Sequence, residues 1–297
     1  MKILVFGVIY KGVEKYLDDY FNSLNKQTYT CFDILIIEDG LNLPQKYCRK
    51  NLIIQKSKKR NTTADIRFGA IEYAKNNKYD ILIFTDCDDF FSENRVERSI
   101  QSLKEADFCV NKLIPIDETG RMIDGIDVIK VPHQLDIIEV LNTNFFGMSN
   151  SAINIYSLPK KLYVPSEIVA VDWWFYTILL LNHRKYIYDE MVITFYRQHD
   201  KNTVGMTSSL DKKKLLRGIS VKIIHYMCLL EYCEKLGLMD YASLLKKRIF
   251  EINELKTKVQ DERFIENYIT IINNNYDKIK TGWWSEILPL NEWSNYE

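Results

Sequence analysis

Tyr79-Asp80-Ile81-Leu82-Ile83-Phe84-Thr85-Asp86-Cys87-Asp88-Asp89 joins an apolar run directly to an acidic cluster. Its first half has the length and β-branched content of a buried central strand. The acidic half therefore falls at that strand's carboxyl end, the edge where open α/β sheets place ligands. Carboxylates crowded into one turn repel each other. A hard divalent cation, Mg²⁺ or Mn²⁺, relieves the repulsion through oxygen ligands and bridges to phosphate groups. The same residues also fit a solvated strand-to-helix loop in which Asp89 or Ser92 caps a helix starting near Asn94.

Working outward, strand and helix patterns alternate. Lys2 to Val8 reads as a strand, Glu14 to Asn25 as an amphipathic helix, and Phe32 to Ile37 as a second buried strand closing on Glu38-Asp39-Gly40. Leu52 to Ile54 makes a short third strand, and Ala64 to Asn76 a helix with Ile66, Ala70, Tyr73 and Ala74 on one face. Beyond the acidic cluster, Asn94 to Glu105 reads as a helix and Phe108 to Val110 as a strand, followed by a loop-rich stretch through Gly120 and Gly125. Leu135 to Leu141 and Trp173 to Leu181 look helical, and Ala152 to Tyr156 and Ile193 to Tyr196 extended. This alternation predicts an α/β fold with a mostly parallel, Rossmann-like sheet flanked by helices. Around Asn202 to Ser209 the texture changes to Thr, Ser, Gly and Lys, and helical periodicity then dominates to about Asn273. The expected division is residues 1–205 for the α/β domain and 206–297 for a helical extension.

Composition excludes several classes. With 297 residues, 46% of them hydrophobic, the chain can bury a large core. Forty basic residues balance 40 acidic ones, so no net field favours nucleic acid. The six cysteines form neither a C-x-x-C pair nor a zinc spacing, and Met1 to Phe6 opens as a core strand rather than a secretion signal. A cytoplasmic protein is the expectation, soluble or held peripherally at the inner face of a membrane. Gly282-Trp283-Trp284-Ser285-Glu286-Ile287-Leu288-Pro289-Leu290 is denser in tryptophan than a solvated tail and suits docking on the main domain, a partner chain or a membrane interface.

Several segments, in order, resemble the family-2 glycosyltransferases, whose members have the nucleotide-diphospho-sugar transferase (GT-A) fold. Val8-Ile9-Tyr10-Lys11 stands at the Pro-Thr-Tyr-Asn-like turn, Ser23-Leu24-Asn25-Lys26-Gln27-Thr28 at the Ser-Leu-x-x-Gln-Thr helix end, and Glu38-Asp39-Gly40-Leu41 at Asp-Asp-Gly-Ser. Asp65-Ile66-Arg67-Phe68-Gly69 matches the Ala-Arg-Asn-x-Gly helix and Asp86-Cys87-Asp88-Asp89 the Asp-x-Asp-Asp element. Val171-Asp172-Trp173 echoes Glu-Asp-Trp, and Tyr196-Arg197-Gln198-His199 echoes Tyr-Arg-x-His. The chain departs from the pattern at Ile66-Arg67, where the family has Arg-Asn, and at Val171, where it has the first acid of Glu-Asp.

The resemblance implies a metal-dependent, inverting transfer of a sugar from a nucleotide-diphosphate donor, a UDP-sugar above all, to a hydroxyl of a carbohydrate or glycolipid acceptor in surface polysaccharide or glycolipid synthesis. Asp88 would hold Mn²⁺ or Mg²⁺, with Asp86 supporting the metal or the ribose and His199 a further ligand. Asp39, Arg67 and Arg197 would contact the donor nucleotide, and Asp172 would take the acceptor's proton. Each residue has a plainer alternative: a helix cap for Asp172, a turn residue for Asp39, and a surface His-Asp pair for His199. Phe145-Phe146-Gly147-Met148-Ser149 fits either an acceptor-side lining or core. A haloacid-dehalogenase-like phosphohydrolase also uses Asp-x-Asp after a strand, but after the first strand and followed by Thr. A noncatalytic carbohydrate-binding scaffold is the remaining class.

Overall fold

β4 (Ile81–Phe84) is buried along its whole length in the interior of the sheet. The computed structural model describes the chain except for residues 59–61, 125–128, 130, 161, 200–208 and 297. Before β4 come β1 (Ile3–Tyr10), α1 (Leu17–Asn25), β2 (Asp33–Asp39), β3 (Leu52–Lys56) and α2 (Thr63–Asn76). After it follow β5 (Phe90–Phe91), α3 (Arg95–Ser102), β6 (Phe108–Ile116), α4 (Ile137–Asn142), β7 (Ser151–Asn154), α5 (Val171–Leu181) and β8 (Tyr186–Arg197). The C-terminal part comprises α6 (Lys212–Leu236), α7 (Met239–Lys258), α8 (Glu262–Asn274) and the short α9 (Tyr276–Ile279) and α10 (Leu290–Trp293).

The strands form one sheet of eight in the order β3-β2-β1-β4-β7-β6-β8-β5. The β3-β2, β2-β1, β1-β4 and β6-β8 pairs are parallel. The β4-β7, β7-β6 and β8-β5 pairs are antiparallel, so the sheet is mixed, with its parallel block confined mainly to the N-terminal half. Alternate residues of each strand point to opposite faces. Ile3 and Val5 of β1 pack with Tyr20 and Leu24 of α1 on one side, and Leu4 and Phe6 join α2 and α5 on the other. Gly7 permits a close crossing, since a Cβ there would sit 2.7 Å from both Cys87 Sγ and the Tyr20 hydroxyl.

Several elements differ from the sequence reading. β6 runs on to Ile116 and β8 begins at Tyr186, because the two pair along their length across a register shift at Asn111/Lys112. Such pairing is set by a distant strand, not by local periodicity. α3 ends at Ser102 rather than Glu105, and neither Asp89 nor Ser92 caps it through its side chain. The expected boundary near residue 206 lies outside the described residues. α6 begins at Lys212, capped by Asp211, whose carboxylate accepts from Lys214 N at 2.8 Å.

The C-terminal helices share a core with α5. Trp173 and Trp174 are fully buried, and the His225 ring of α6 stacks on Trp173 with centroids 3.8 Å apart. The tryptophan-rich tail docks inward. Lys222 Nζ donates to Ile287 O at 2.8 Å, Tyr268 Oη to Leu288 O at 2.8 Å, and Lys280 pairs with Glu286 at 2.7 Å. Among the described residues, no helix is long and apolar enough to cross a membrane.

His225 makes the packing of α6 against α5 sensitive to acid. Both of its ring nitrogens are buried without a hydrogen-bond partner, and burial, with Lys222 repelling a second charge, pushes its pKa from 6.5 down to about 3. The folded protein keeps the imidazole neutral while the unfolded chain binds a proton, so stability is lost as pH falls from 6.5 toward about 3. His225→Phe retains the stack without the titrating group. Its melting temperature should fall less than the parent's between about pH 7 and about pH 4. Parallel pH curves for the two proteins would contradict this.

Candidate active site

The end of β4 is tied down from three directions. Thr85 Oγ1 donates to Phe6 O at 2.8 Å and meets the Tyr20 hydroxyl at 2.8 Å. Gln27, from the Gln-Thr segment after α1, donates through Nε2 to Ser92 O at 2.9 Å and accepts from Val96 N at 2.9 Å. Thr28 adds a backbone bond to Glu93 O at 2.8 Å. That segment therefore fixes the loop following the acidic cluster.

Within the cluster, one oxygen each from Asp86, Asp88 and Asp89 lies within 4.8 Å of the others. Among the described residues this is the group that could hold a cation. Asp88 Oδ2 accepts from the Tyr10 hydroxyl at 2.9 Å and lies 2.8 Å from His199 Nε2. The His199 side chain is only 7% exposed and stacks on Tyr16, so it belongs to the cluster rather than to a solvated surface pair. Asp86 pairs with Arg67 Nη2 at 2.8 Å. Asp89 accepts from Arg197 N through Oδ1 at 2.8 Å, while its buried Oδ2 has no hydrogen-bond partner. A buried bare carboxylate oxygen beside two more carboxylates suits a hard cation's preference for oxygen.

Burial pushes the Asp86 and Asp89 carboxyls above the usual range. Arg67 opposes the shift at Asp86, and the neighbouring carboxylates reinforce it at both. Arg95 lies fully buried beneath them, donating to Phe84 O at 2.6 Å, Ser149 O at 2.7 Å and Thr194 Oγ1 at 3.0 Å. Burial lowers its pKa to about 10, which leaves it charged at neutral pH.

Asp172 stands in the first turn of α5 and is not its N-cap, a position held by Ala170 without a side-chain bond. Its Oδ1 accepts from Trp173 N at 2.8 Å, and Asn144 and Arg67 are its other polar neighbours. Burial pushes its carboxyl up, and these neighbours pull it back toward ionisation. The two tryptophans after it anchor the helix: Trp173 Nε1 donates to Val140 O at 2.6 Å and Trp174 Nε1 to Tyr163 O at 2.8 Å. Arg67, on α2, is thus the electrostatic neighbour common to Asp86 and Asp172, and its Nη1 is buried without a partner.

Asp39 is exposed at the end of β2, opposite Tyr10 in the ladder. Arg197, expected at the diphosphate, is 1% exposed and turned inward. Its Nε donates to Asp88 O at 2.7 Å, its Nη1 to Glu118 O at 2.8 Å and its Nη2 to Asp19 Oδ2 at 2.7 Å. The guanidinium lies 4.4 Å from the Tyr16 ring centroid. Its visible work is to lock the acidic loop to β8 and α1. Sequence reasoning passed over Tyr10, Tyr16, Asp19 and Arg95 as site residues. Tyr10 had a signal, its place in the turn after the first strand, whereas the others become neighbours only when the strands assemble.

The family model for glycosyl transferase family 2 matches residues 6–157, just over half of the chain. The chain belongs to that family and is a glycosyltransferase. A comparison with curated protein sequences finds no match. Among solved structures, the chain is similar to Staphylococcus aureus TarS 1-349 in complex with UDP-GlcNAc, at 17% identity and a TM-score of 0.54, covering 76% of this chain and 67% of that one. It is also similar to the mannosyltransferase PcManGT of Pyrobaculum calidifontis in complex with GDP-Man and Mn²⁺, at 12% identity and a TM-score of 0.50, covering 77% and 64%. The chain thus spans about two thirds of the length of those structures. These similarities establish the GT-A fold, and family membership sets aside the phosphohydrolase and the noncatalytic scaffold.

Competition between protons and a cation follows from the raised carboxyls. Folded Asp86 and Asp89 bind protons more tightly than the unfolded chain, so they cost stability as pH rises above the unfolded value of 3.8. A divalent cation held by these carboxylates would replace those protons. Mn²⁺ should therefore raise the melting temperature more at about pH 8 than at about pH 5.5, and EDTA should cancel the gain. Equal shifts at both pH values would refute this.

Proposed function

We propose that this glycosyltransferase moves a sugar from a nucleotide-diphosphate donor to a hydroxyl of a carbohydrate or glycolipid acceptor, with inversion and with a divalent cation, Mn²⁺ or Mg²⁺. The observation that carries the reading is the convergence of three carboxylates at the end of β4, with Arg67 between them and the separate carboxylate of Asp172. A UDP-sugar is the donor we favour, supported by the UDP-GlcNAc bound in the similar TarS complex. Asp88 and His199 would hold the cation, with Asp86 on the cation or the ribose. Asp39, at the open edge beside β1, would take the base or ribose. Arg67 would bind on the donor side with its free Nη1, and Arg197 would hold the loop in place.

When bound, the cation supplies neutralisation of the leaving diphosphate. The chain's own residues do the rest. Asp172, ionised, accepts the acceptor hydroxyl's proton as attack proceeds, a contribution of roughly 10²- to 10⁴-fold. The Trp173 amide and Arg67 oppose the upward shift that burial imposes on its carboxyl. Tyr10 remains a proton donor to Asp88, since burial and the neighbouring carboxylates push its pKa far up. We assign the enzyme to surface polysaccharide or glycolipid synthesis, on the cytoplasmic side of a membrane. The free cysteines suit a reducing compartment.

Two substitutions separate the roles. Asp172→Asn preserves shape and the cation site, so Mn²⁺-dependent UDP binding, measured by titration calorimetry, should persist while transfer falls by roughly 10²-fold or more. Asp88→Asn should weaken Mn²⁺-dependent UDP binding as well. An Asp172→Asn enzyme transferring sugar at the parent rate would remove the base from the mechanism. UDP and GDP binding that is indifferent to EDTA would remove the cation.

A further inference from the structure

The chain leaving β1 brings a second tyrosine to the acidic cluster. Past Tyr10 it bends at Gly12, whose φ of +103° only glycine adopts readily, and enters the short 3-10 turn Glu14–Tyr16. Val13 N donates to Tyr10 O at 3.1 Å, and Tyr16 N to Val13 O at 2.9 Å. Lys15 pairs with Glu118 from the loop after β6, which pins the turn from outside. Tyr16 is thereby buried at the site, with 3% of its surface exposed.

Two side chains meet its ring. The His199 imidazole stacks on it with centroids 5.7 Å apart and 21° between the planes, and the Arg197 guanidinium lies 4.4 Å from the ring centroid. His199 Nε2 is 2.8 Å from Asp88 Oδ2, the same oxygen that accepts from the Tyr10 hydroxyl at 2.9 Å. Tyr10 and Tyr16 therefore hold the two members of the Asp88–His199 pair, one through its hydroxyl and the other through its ring. The Tyr16 hydroxyl is buried without a hydrogen-bond partner, so the ring is what this residue contributes.

We propose that Tyr16 is a positioning residue of the cation site, its ring fixing the orientation of the His199 imidazole beside Asp88. The role of His199 as a cation ligand is the reading on which this rests. An imidazole ligand must aim one nitrogen lone pair at the ion, so a ring that can turn freely binds less well. Neighbours that fix a ligating ring are typically worth roughly 10- to 100-fold in metal affinity. A flat aromatic surface restrains the tilt of a stacked ring, whereas an aliphatic side chain of similar bulk only fills the space. Tyr16 itself offers the cation no ligand and acts through His199.

The test measures Mn²⁺ binding to the full-length protein by titration calorimetry, without nucleotide. His199→Ala and Tyr16→Leu should each weaken binding by roughly 10-fold or more. Tyr16→Phe, which keeps the ring and removes the unpartnered hydroxyl, should stay within about twofold of the parent. The double variant Tyr16→Leu with His199→Ala should bind no more weakly than His199→Ala alone, because the ring acts through the histidine. If Tyr16→Leu does not fold, Tyr16→Met carries the same cycle. A folded Tyr16→Leu protein with the parent's Mn²⁺ affinity, or losses that simply add in the double variant, would reduce Tyr16 to packing and overturn the proposal. Failure of the ligand reading looks different: His199→Ala would itself bind Mn²⁺ as the parent does, and the inference would fall with it.

Discussion

Carboxylates crowded at the end of a buried strand set the electrostatic problem that the surrounding residues must solve. Two like charges about 4 Å apart repel by about 4 kcal/mol at an effective dielectric near 20, a large part of a domain's whole stability. The fold answers with three arginines placed differently. Arg95 lies beneath the cluster, Arg67 pairs with Asp86 from α2, and Arg197 holds the loop through Asp88 O and the Asp89 carboxylate. Of these arginines, Arg67 makes a side-chain ion pair with a cluster carboxylate, and His199 pairs with Asp88, yet Asp86 and Asp89 still hold protons tightly, so much of the repulsion is left to protons and, in the proposed function, to a cation. The site is in this sense built incomplete.

The same economy governs the far side of the site. Asp172 is half-buried on a helix that is apolar nearly all round, with Trp173, Trp174, Phe175 and Tyr176 fully enclosed. Such a helix needs partners on every face. The sheet covers one side, and α6, with His225 stacked on Trp173, covers another. The C-terminal helices thus complete the burial that fixes the orientation of α5, and with it the direction of the Asp172 carboxylate. A GT-A sheet alone would leave those tryptophans against water.

Much of this was legible in local pattern. The run Ile81 to Phe84 is a strand because of its own composition, and Asp86 to Asp89 sit at its end because nothing apolar continues it. The helical periodicity expected to about Asn273 is taken up by α6, α7 and α8. Where the reading fell short, the cause is long-range. β6 and β8 extend each other by pairing, and β7 turns the sheet mixed by lying antiparallel between β4 and β6. Arg197 shows the limit for side chains. Its place in a Tyr-Arg-x-His segment suggests a phosphate contact, yet Asp19 and Glu118, remote in sequence, surround it.

By itself, then, the sequence determined the kinds of element, their order, and which carboxylates stand at a strand's end or a helix's first turn, since these depend on period and near neighbours. The tertiary structure decided which charges face one another. Arg67 pairs with Asp86 and lies within electrostatic reach of Asp172, His199 closes on Asp88, and Trp283 clamps Asn144 across more than a hundred residues of chain. Hydrogen bonds and charge pairs act over a few ångströms. Only the folding of the sheet and the docking of the tail bring such distant residues within that range.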